Sequence, residues 1–191
     1  ILFRRWPSGV TYIVGLDGGP QPVCKPCESA AYGWRDNGHI SLLSTSPEPQ
    51  FEPRLRMIDL ANAVTNEWIA SPMVVKTFRE SSVRVEEDEP VVWAPDARAL
   101  YFIGSSVQQL ASLWKLDVNP DTRIVTGGPH MMTAMADDIT GVSLARATGA
   151  MAFSVSTRVP QVRWYPLDQS GRRITGPPVG LSSSATQSNY P

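Results

Sequence analysis

The chain has 191 residues, with 17 basic and 18 acidic side chains and a formal net charge of −1. This balance lacks the positive field that a nucleic-acid surface needs, and no apolar run approaches the ~20 residues of a membrane-spanning helix. We therefore expect no nucleic-acid partner and no membrane insertion. Its 17 prolines and 14 glycines are typical of a turn-rich, all-β chain.

Residues 1–30 carry the first predicted group of strands. Apolar, β-favouring runs at 1–3 and 10–14 predict two strands, and an outer strand is expected near Pro22–Val23. The segment Asp17–Pro20 has the composition of the hairpin turn between the last two strands.

Residues 31–71 carry a second group of four strands. The apolar runs predict a first strand and turn at 32–39, a second strand at 40–43, a third at 55–60, and, after a turn at 60–65, an outer strand at 68–70. The loop at 44–53 holds three prolines and two glutamates, so we expect it to project from the sheet.

Residues 72–90 form an insertion. Val74–Phe78 predicts an added strand, because the run is rich in β-favouring residues. The acidic run Glu86–Glu89 is expected to be a solvated turn, with a site for a cation or a basic partner as the alternative.

Residues 91–130 give the clearest pattern. Strands are predicted at 91–93, 100–103, 113–118 and 123–126, with turns at 95–98 and 119–122 and a polar loop at 104–111. The run at 100–103 is bulky enough to be buried on both faces, whereas 113–118 alternates large apolar with polar residues. Asp96 is expected to hold its turn by bonding nearby backbone.

Residues 139–180 repeat this pattern. Strands are predicted at 151–155, 162–168 and 173–178, with a turn at 169–172, and Trp164 lies 50 residues after Trp114. A period of about 40–60 residues with four strands per unit indicates the blades of a β-propeller. The predicted fold class is therefore all-β, a single propeller domain over 1–191 with about four four-stranded antiparallel blades at 1–30, 31–71, 91–130 and 139–180.

The repeat also resembles a known family. Trp93-x-Pro95-Asp96-x-Arg98, followed by an apolar strand and then Leu-Trp-x-Leu-Asp at 113–117, resembles the TolB-like or WD40-like propeller repeat of bacteria. That repeat usually has serine before the proline and glycine after the aspartate, and both are missing here. The resemblance implies a non-catalytic module that binds a protein or peptide, as the sensor or scaffold part of a larger bacterial protein. It favours a periplasmic or other extracytoplasmic location over the cytoplasm.

Four blades are fewer than such propellers usually carry, which leaves three expectations open. The chain is a fragment of a larger ring, or its end supplies a missing strand beside Ile1, or a homo-oligomer completes the ring. An open blade edge would otherwise expose unpaired backbone.

The candidate binding residues are Trp6, Phe51, Arg54 and His130. Trp6 falls outside the repeat pattern, so we expect it to be exposed, whereas the other five tryptophans fall at repeat positions and are predicted to pack between blades. Phe51 lies in the long loop, where the alternatives are a contact anchor and an aromatic tucked into an ordinary loop.

The two cysteines, Cys24 and Cys27, form a CxxC motif in the connection after the first blade. Two thiols in a loop is the default interpretation, and a disulfide in an oxidising compartment is the main alternative. A zinc site would need four ligands, and the only histidines, His39 and His130, fall in different blades. No cofactor and no metal are predicted, because no phosphate-binding or dinucleotide fingerprint is present.

Two other functions stay open. One is the propeller domain of a hydrolase of the prolyl-oligopeptidase type, for which Gly141-Val142-Ser143-Leu144-Ala145 is a near match to G-x-S-x-G but lies in a predicted strand. The other is a self-assembling propeller fragment without a ligand. With two histidines in the chain and no catalytic motif, we predict that the protein is not an enzyme.

Overall fold

The computed structural model describes residues 2–5, 10–14, 19, 21–24, 30–47, 50–61, 64–87, 89–106, 109–133, 138–145, 147–156, 163–164, 175–177 and 179–180. The chain divides into two compact units, Ile1–Ser156 and Thr157–Pro191. Apart from one helix, the regular structure of the described residues is β-strand, which confirms the all-β prediction.

The first unit begins with a three-stranded antiparallel sheet. It contains β1 (Leu2–Arg5), β2 (Val10–Ile13) and β3 (Gln21–Cys24), in that spatial order. These are the strands that the apolar runs of residues 1–30 predicted.

Four consecutive antiparallel strands follow, as predicted for residues 31–71. They are β4 (Ala31–Asp36), β5 (His39–Thr45), β6 (Pro53–Asp59) and β7 (Thr65–Ala70). The described end of the loop before β6 contacts the following helix, because Arg79 donates to the Gln50 carbonyl at 3.2 Å.

The prediction of a strand at Val74–Phe78 is wrong, because these residues belong to helix α1 (Pro72–Ser81). Ser71 caps the helix by accepting a hydrogen bond from the Val74 N–H at 3.4 Å, and Pro72 stands at the first helical position, where its missing N–H costs nothing. Val74 and Phe78 are four residues apart and both are fully buried, so the apolar run has helical spacing.

The next group of strands contains β8 (Arg84–Val85), β9 (Val92–Trp93), β10 (Ala99–Ser106), β11 (Gln109–Asn119) and β12 (Ile124–Met131). Strands β9 to β12 are consecutive and antiparallel, as predicted for residues 91–130. Both β8 and β9 pair with β10, β9 near the start of that strand and β8 near its end. The loop predicted at 104–111 is a shorter hairpin, because β10 and β11 extend into it.

The turns predicted at 95–98 and 119–122 are held by hydrogen bonds from backbone N–H groups to side chains. The Asp96 carboxylate accepts a hydrogen bond from the Arg98 N–H at 3.0 Å, which confirms its predicted role. The Asn119 side-chain oxygen likewise accepts hydrogen bonds from the N–H groups of Asp121 and Thr122, at 3.0 and 3.2 Å.

The two groups join into one nearly closed, barrel-like sheet. Strands β7 and β12 pair in parallel through Ile69–Ile124 and Ala70–Val125. At the opposite end, β4 meets the segment before β9 through a parallel bridge between Tyr32 and Pro90. Strand β4 and the segment before β9 are therefore neighbours, and so are β7 and β12.

Apolar residues on alternate positions of β10 and β11 point to two different cores. Leu100, Phe102, Trp114 and Leu116 pack in the interior of the barrel-like sheet, together with residues of β5, β6, β7 and α1. On the opposite face, Ile103 and Leu113 join a second cluster with residues of β13 (Asp138–Ala145) and β14 (Ala150–Ser156), an antiparallel pair. The sheet is thus covered on both faces.

The second unit, Thr157–Pro191, is described in small part. Its regular structure there is an antiparallel pair, β15 (Arg163–Trp164) and β16 (Val179–Gly180). The predicted turn at 169–172 lies outside the described residues.

Replacing Gly33 with alanine should destabilise the fold severely. An added Cβ would lie 1.8 Å from the carbonyl oxygen of Val91, a backbone atom that cannot move without breaking the junction of β4 and β9. We expect a loss of about 3 kcal/mol in the free energy of unfolding, measured from urea midpoints. The control is Gly38→Ala in the same hairpin, where the nearest atom to the added Cβ is 3.7 Å away. Equal losses in the two variants would contradict the close approach.

Truncating Phe78 should show how much helix α1 contributes to the core. Its ring is fully buried and stacks on Phe102 with the ring centroids 6.3 Å apart. Phe78→Ala should lower the free energy of unfolding by roughly 3–5 kcal/mol, whereas Met73→Ala on the solvent side of α1 should change it by less than about 0.5 kcal/mol. If the two changes have similar effects, the helix does not pack as described.

Candidate binding cleft

Strand β4, the segment leading into β9, and strand β13 meet at a cleft of about 360 Å³. Strand β4 contributes one wall, the segment leading into β9 a second, and β13 a third. The lining is aromatic and aliphatic, with one serine, and it consists of Tyr32, Gly33, Trp34, Pro90, Val91, Val92, Trp93, Val142, Ser143 and Leu144.

Backbone hydrogen bonds hold β4 against the segment before β9. The Tyr32 N–H donates to the Glu89 carbonyl at 3.3 Å, and the Val91 N–H donates to the Tyr32 carbonyl at 3.0 Å. Gly33 lets these backbones approach, since any side chain there would collide with Val91.

Glu89 also fixes the third wall of the cleft. Its carboxylate accepts a hydrogen bond from the Gly141 N–H at 2.8 Å. Gly141 sits at a bulge in β13 with a φ of 58°, a conformation that favours glycine. One residue therefore joins β4 through its carbonyl and β13 through its side chain.

Two consecutive buried hydrogen bonds anchor Trp93 in the wall of the cleft. The Trp93 Nε1–H donates to Ser41 Oγ at 2.9 Å, and Ser41 Oγ donates to the Gly33 carbonyl at 3.0 Å. The Trp93 ring meets Trp68 edge to face with centroids 5.7 Å apart, and the Arg35 guanidinium lies over both rings, at 5.7 and 5.4 Å. Trp68, Trp93 and Trp114 are all buried in one core, whereas their packing between blades stays a prediction.

The residues predicted to bind a partner lie away from this cleft. Phe51 precedes β6, is 7% exposed, and has the Arg84 guanidinium 5.4 Å above its ring, so it is tucked into the fold rather than presented to solvent. Arg54 is exposed on β6, and His130 is exposed on β12. None of these three residues lines the cleft.

Two other predictions fall outside the described residues. Trp6 and Cys27 are among the positions that are not described, and of Cys24 the structure gives only its place at the end of β3. The expectation of two loop thiols, its alternative of a disulfide, and the expected exposure of Trp6 therefore stay predictions.

His130 belongs to a small charged cluster on β11 and β12. The Asp117 carboxylate accepts from Lys115 Nζ at 2.8 Å and pairs with His130 Nε2 at 3.1 Å. The hydrogen bond from Lys115 lowers the pKa of Asp117 despite partial burial, and the same bond raises the pKa of Lys115. His39 makes a comparable pair with Asp36 at 2.7 Å. Burial alone would raise the pKa of Asp36, but hydrogen bonds from His39 and the Gly38 N–H hold that pKa below its ordinary value.

The acidic run at 86–89 is more than the solvated turn that we expected. Glu86 accepts a hydrogen bond from the Ser105 hydroxyl, and Glu89 builds the cleft as described above. Glu87 is exposed.

The sequence pattern did not indicate the cleft, because Trp34 falls at a repeat position at which packing between blades is expected. Trp34 is only half-buried, and it lines the cleft with Tyr32, two positions earlier on the same strand. The signal available in the sequence was the glycine between these two aromatic residues, which marks a close backbone approach.

Within the described residues, no group of three or more His, Cys, Asp or Glu side chains is arranged to hold a metal ion. In the same part of the chain, no helix combines the length and apolar character needed to cross a bilayer.

Comparisons with known proteins add little. No protein-family model matches the chain, and no curated protein matches its sequence. A solved structure assigned as TolB from Agrobacterium tumefaciens is similar over 91% of this chain and 56% of that chain, with a TM-score of 0.48 and 16% sequence identity. The chain thus spans little more than half the length of that structure. A TM-score below 0.5 supports no conclusion about the function of this chain.

The Asp117 cluster predicts a pH dependence of stability. Because the pKa of Asp117 is lowered in the folded state, its contribution is present above its ordinary value of 3.8 and is lost as the pH falls through the folded pKa. Asp117→Asn should therefore destabilise the protein at pH 7, and the difference from the unmodified chain should shrink below about pH 4. Urea midpoints at pH 7, 4 and 3 test this, with Asp121→Asn in the adjacent exposed turn as the control. A difference that is constant with pH would contradict the assigned role.

Proposed function

We propose that β4–β7 and β9–β12 are successive blades of a β-propeller. Each is a set of four consecutive antiparallel strands, and they pack face to face with first strand beside first strand and last beside last. A two-layer sandwich needs one apolar face per sheet, but the β9–β12 sheet carries two, and β13–β14 covers the second. Radial stacking of blades accounts for a sheet that is buried on both sides.

We further propose that the chain is a non-catalytic module that binds a protein or peptide at the cleft. The single observation that carries this proposal is the cleft itself, where β4, the segment leading into β9, and β13 meet and present aromatic and aliphatic side chains. Concave, mostly apolar sites with a few polar groups are the usual form of binding sites. Tyr32 and Trp34 supply the large, rigid rings that dominate binding energy at interfaces.

A catalytic role has less support. Ser143, the serine of the near-match G-x-S-x-G, lies within β13 rather than on a strand-to-helix turn. Both histidines are engaged with aspartates on other elements, His39 with Asp36 and His130 with Asp117. By the resemblance of its repeat motif, the module belongs to a larger bacterial protein in the periplasm or another extracytoplasmic compartment.

Panning a phage-displayed library of random peptides against the chain tests the proposed site. For the enriched peptides, Trp34→Ala should weaken binding at least about tenfold, or about 1.4 kcal/mol, measured by fluorescence anisotropy. Arg54→Ala and His130→Ala are the controls, because both residues are exposed and neither lines the cleft. Unchanged urea midpoints would show that the variants are folded.

Three outcomes would contradict the proposal. The first is a library that yields no binder. The second is binding that is lost in Arg54→Ala or His130→Ala but kept in Trp34→Ala, which would place the contact surface away from the cleft. The third is hydrolysis of a p-nitrophenyl ester that Ser143→Ala abolishes, which would indicate an enzyme.

A further inference from the structure

Strand β13 brings one of its edges to the cleft. It runs from Asp138 to Ala145, and among the described strands it pairs with β14 alone. Three of its residues, Val142, Ser143 and Leu144, line the cleft. The backbone of these residues therefore lies in the cleft wall, with β14 along one edge and no described strand along the other.

The second edge of β13 carries backbone groups that need hydrogen-bond partners. Along a strand that is paired on one side, the N–H and C=O groups of every second residue point to the other side. Within the described part of the chain, the backbone of residues 139–144 makes one hydrogen bond beyond β14, from the Gly141 N–H to the Glu89 carboxylate. The backbone groups that follow Gly141 on this edge are thus available to a ligand.

The composition of this edge does not block the addition of a strand. Natural edge strands are commonly protected by charged residues or by prolines. Residues 139–145 contain neither. The bulge at Gly141, which interrupts regular pairing, lies before the residues that line the cleft. Residues 142–145 therefore form a regular and uncharged template for another strand.

Strand β4, in another wall of the cleft, supplies side-chain contacts with a matching repeat. Tyr32 and Trp34 stand two residues apart on β4, so their rings lie on the same side of that strand, and both line the cleft. The side chains of an extended ligand also alternate with a period of two residues. Such a ligand can bond β13 through its backbone while every second side chain contacts the rings.

We infer that a peptide bound in the cleft adds to β13 as a further strand. This inference rests on the proposed function and specifies how the ligand is held. The ligand backbone exchanges hydrogen bonds with alternate residues of 142–145, and its alternate side chains face Tyr32 and Trp34. In this mode of recognition the main-chain bonds supply affinity and the alternate side chains supply specificity. The partner is therefore an extended segment and not a helix.

Methylation of the ligand backbone tests this mode. Peptides enriched against the chain are resynthesised with one N–H at a time replaced by N–CH3, and their binding is followed by fluorescence anisotropy. Methylation at every second core residue should weaken binding at least about tenfold, because it removes a donor to β13 and adds bulk at that edge. At the residues between them the change should be less than about twofold. The two sets carry the same chemical change, so each set is the control for the other.

Hydrogen exchange of the protein locates the added strand. In the free chain, the amides of residues 142–145 that point to the cleft should exchange quickly, and those that bond β14 should exchange slowly. Saturation with the unmethylated peptide should slow the fast set at least about tenfold. Residues 151–155 of β14 are the control and should not change, because β14 does not line the cleft.

The outcomes separate this inference from the proposed function. If Trp34→Ala weakens the peptides but methylation has no effect that alternates along them, the cleft binds peptides and the added strand is wrong. Protection of β14 in place of β13 would also overturn the inference. If no peptide binds to a folded chain, the inference and the proposed function fail together.

Discussion

The burial of both faces of the β9–β12 sheet is the constraint on which the rest of the structure depends. Side chains alternate along a strand, so a sheet with large apolar residues at successive positions must be covered on two sides. In β10, Leu100 and Phe102 face one core while Ile103 faces the other. This arrangement requires a neighbour on each side, which β4–β7 with α1 and β13–β14 provide.

The cleft is a consequence of the same stacking. Where β4, the segment before β9 and β13 lie side by side, the backbone must satisfy its hydrogen bonds across the gap. Gly33 and Glu89 solve this problem in different ways. The glycine removes a side chain so that two backbones can meet, and the glutamate bridges a wider separation with its carboxylate. The walls are thereby held by structural bonds, and the rings of Tyr32 and Trp34 are left to line the opening.

Local patterns predicted the strands well, because strand propensity and turn chemistry are properties of neighbouring residues. The turns at Asp96 and Asn119 form through the side-chain bonds that their residue types favour. Helix α1 was not predicted, because Val74, Val75 and Phe78 favour strands by composition and Ser71-Pro72 is a short signal for a helix start. The cleft could not be predicted, since it depends on which sheets become neighbours. Phe51 illustrates the limit for single residues, because its position in a loop gave no sign of the Arg84 guanidinium that covers it.

Helix α1 makes the two neighbouring sheets unequal modules. It enters between β7 and β8, yet Val74 and Phe78 contribute to the core that the sheets share, and Arg79 reaches back to the Gln50 carbonyl. Recombining or duplicating the four-stranded unit at residues 91–130 without this helix would leave Phe102 without its stacking partner. Apolar side chains that the helix covers would then be exposed to water. The natural boundary for exchanging or transplanting this repeat therefore lies before Ser71 rather than at Val91.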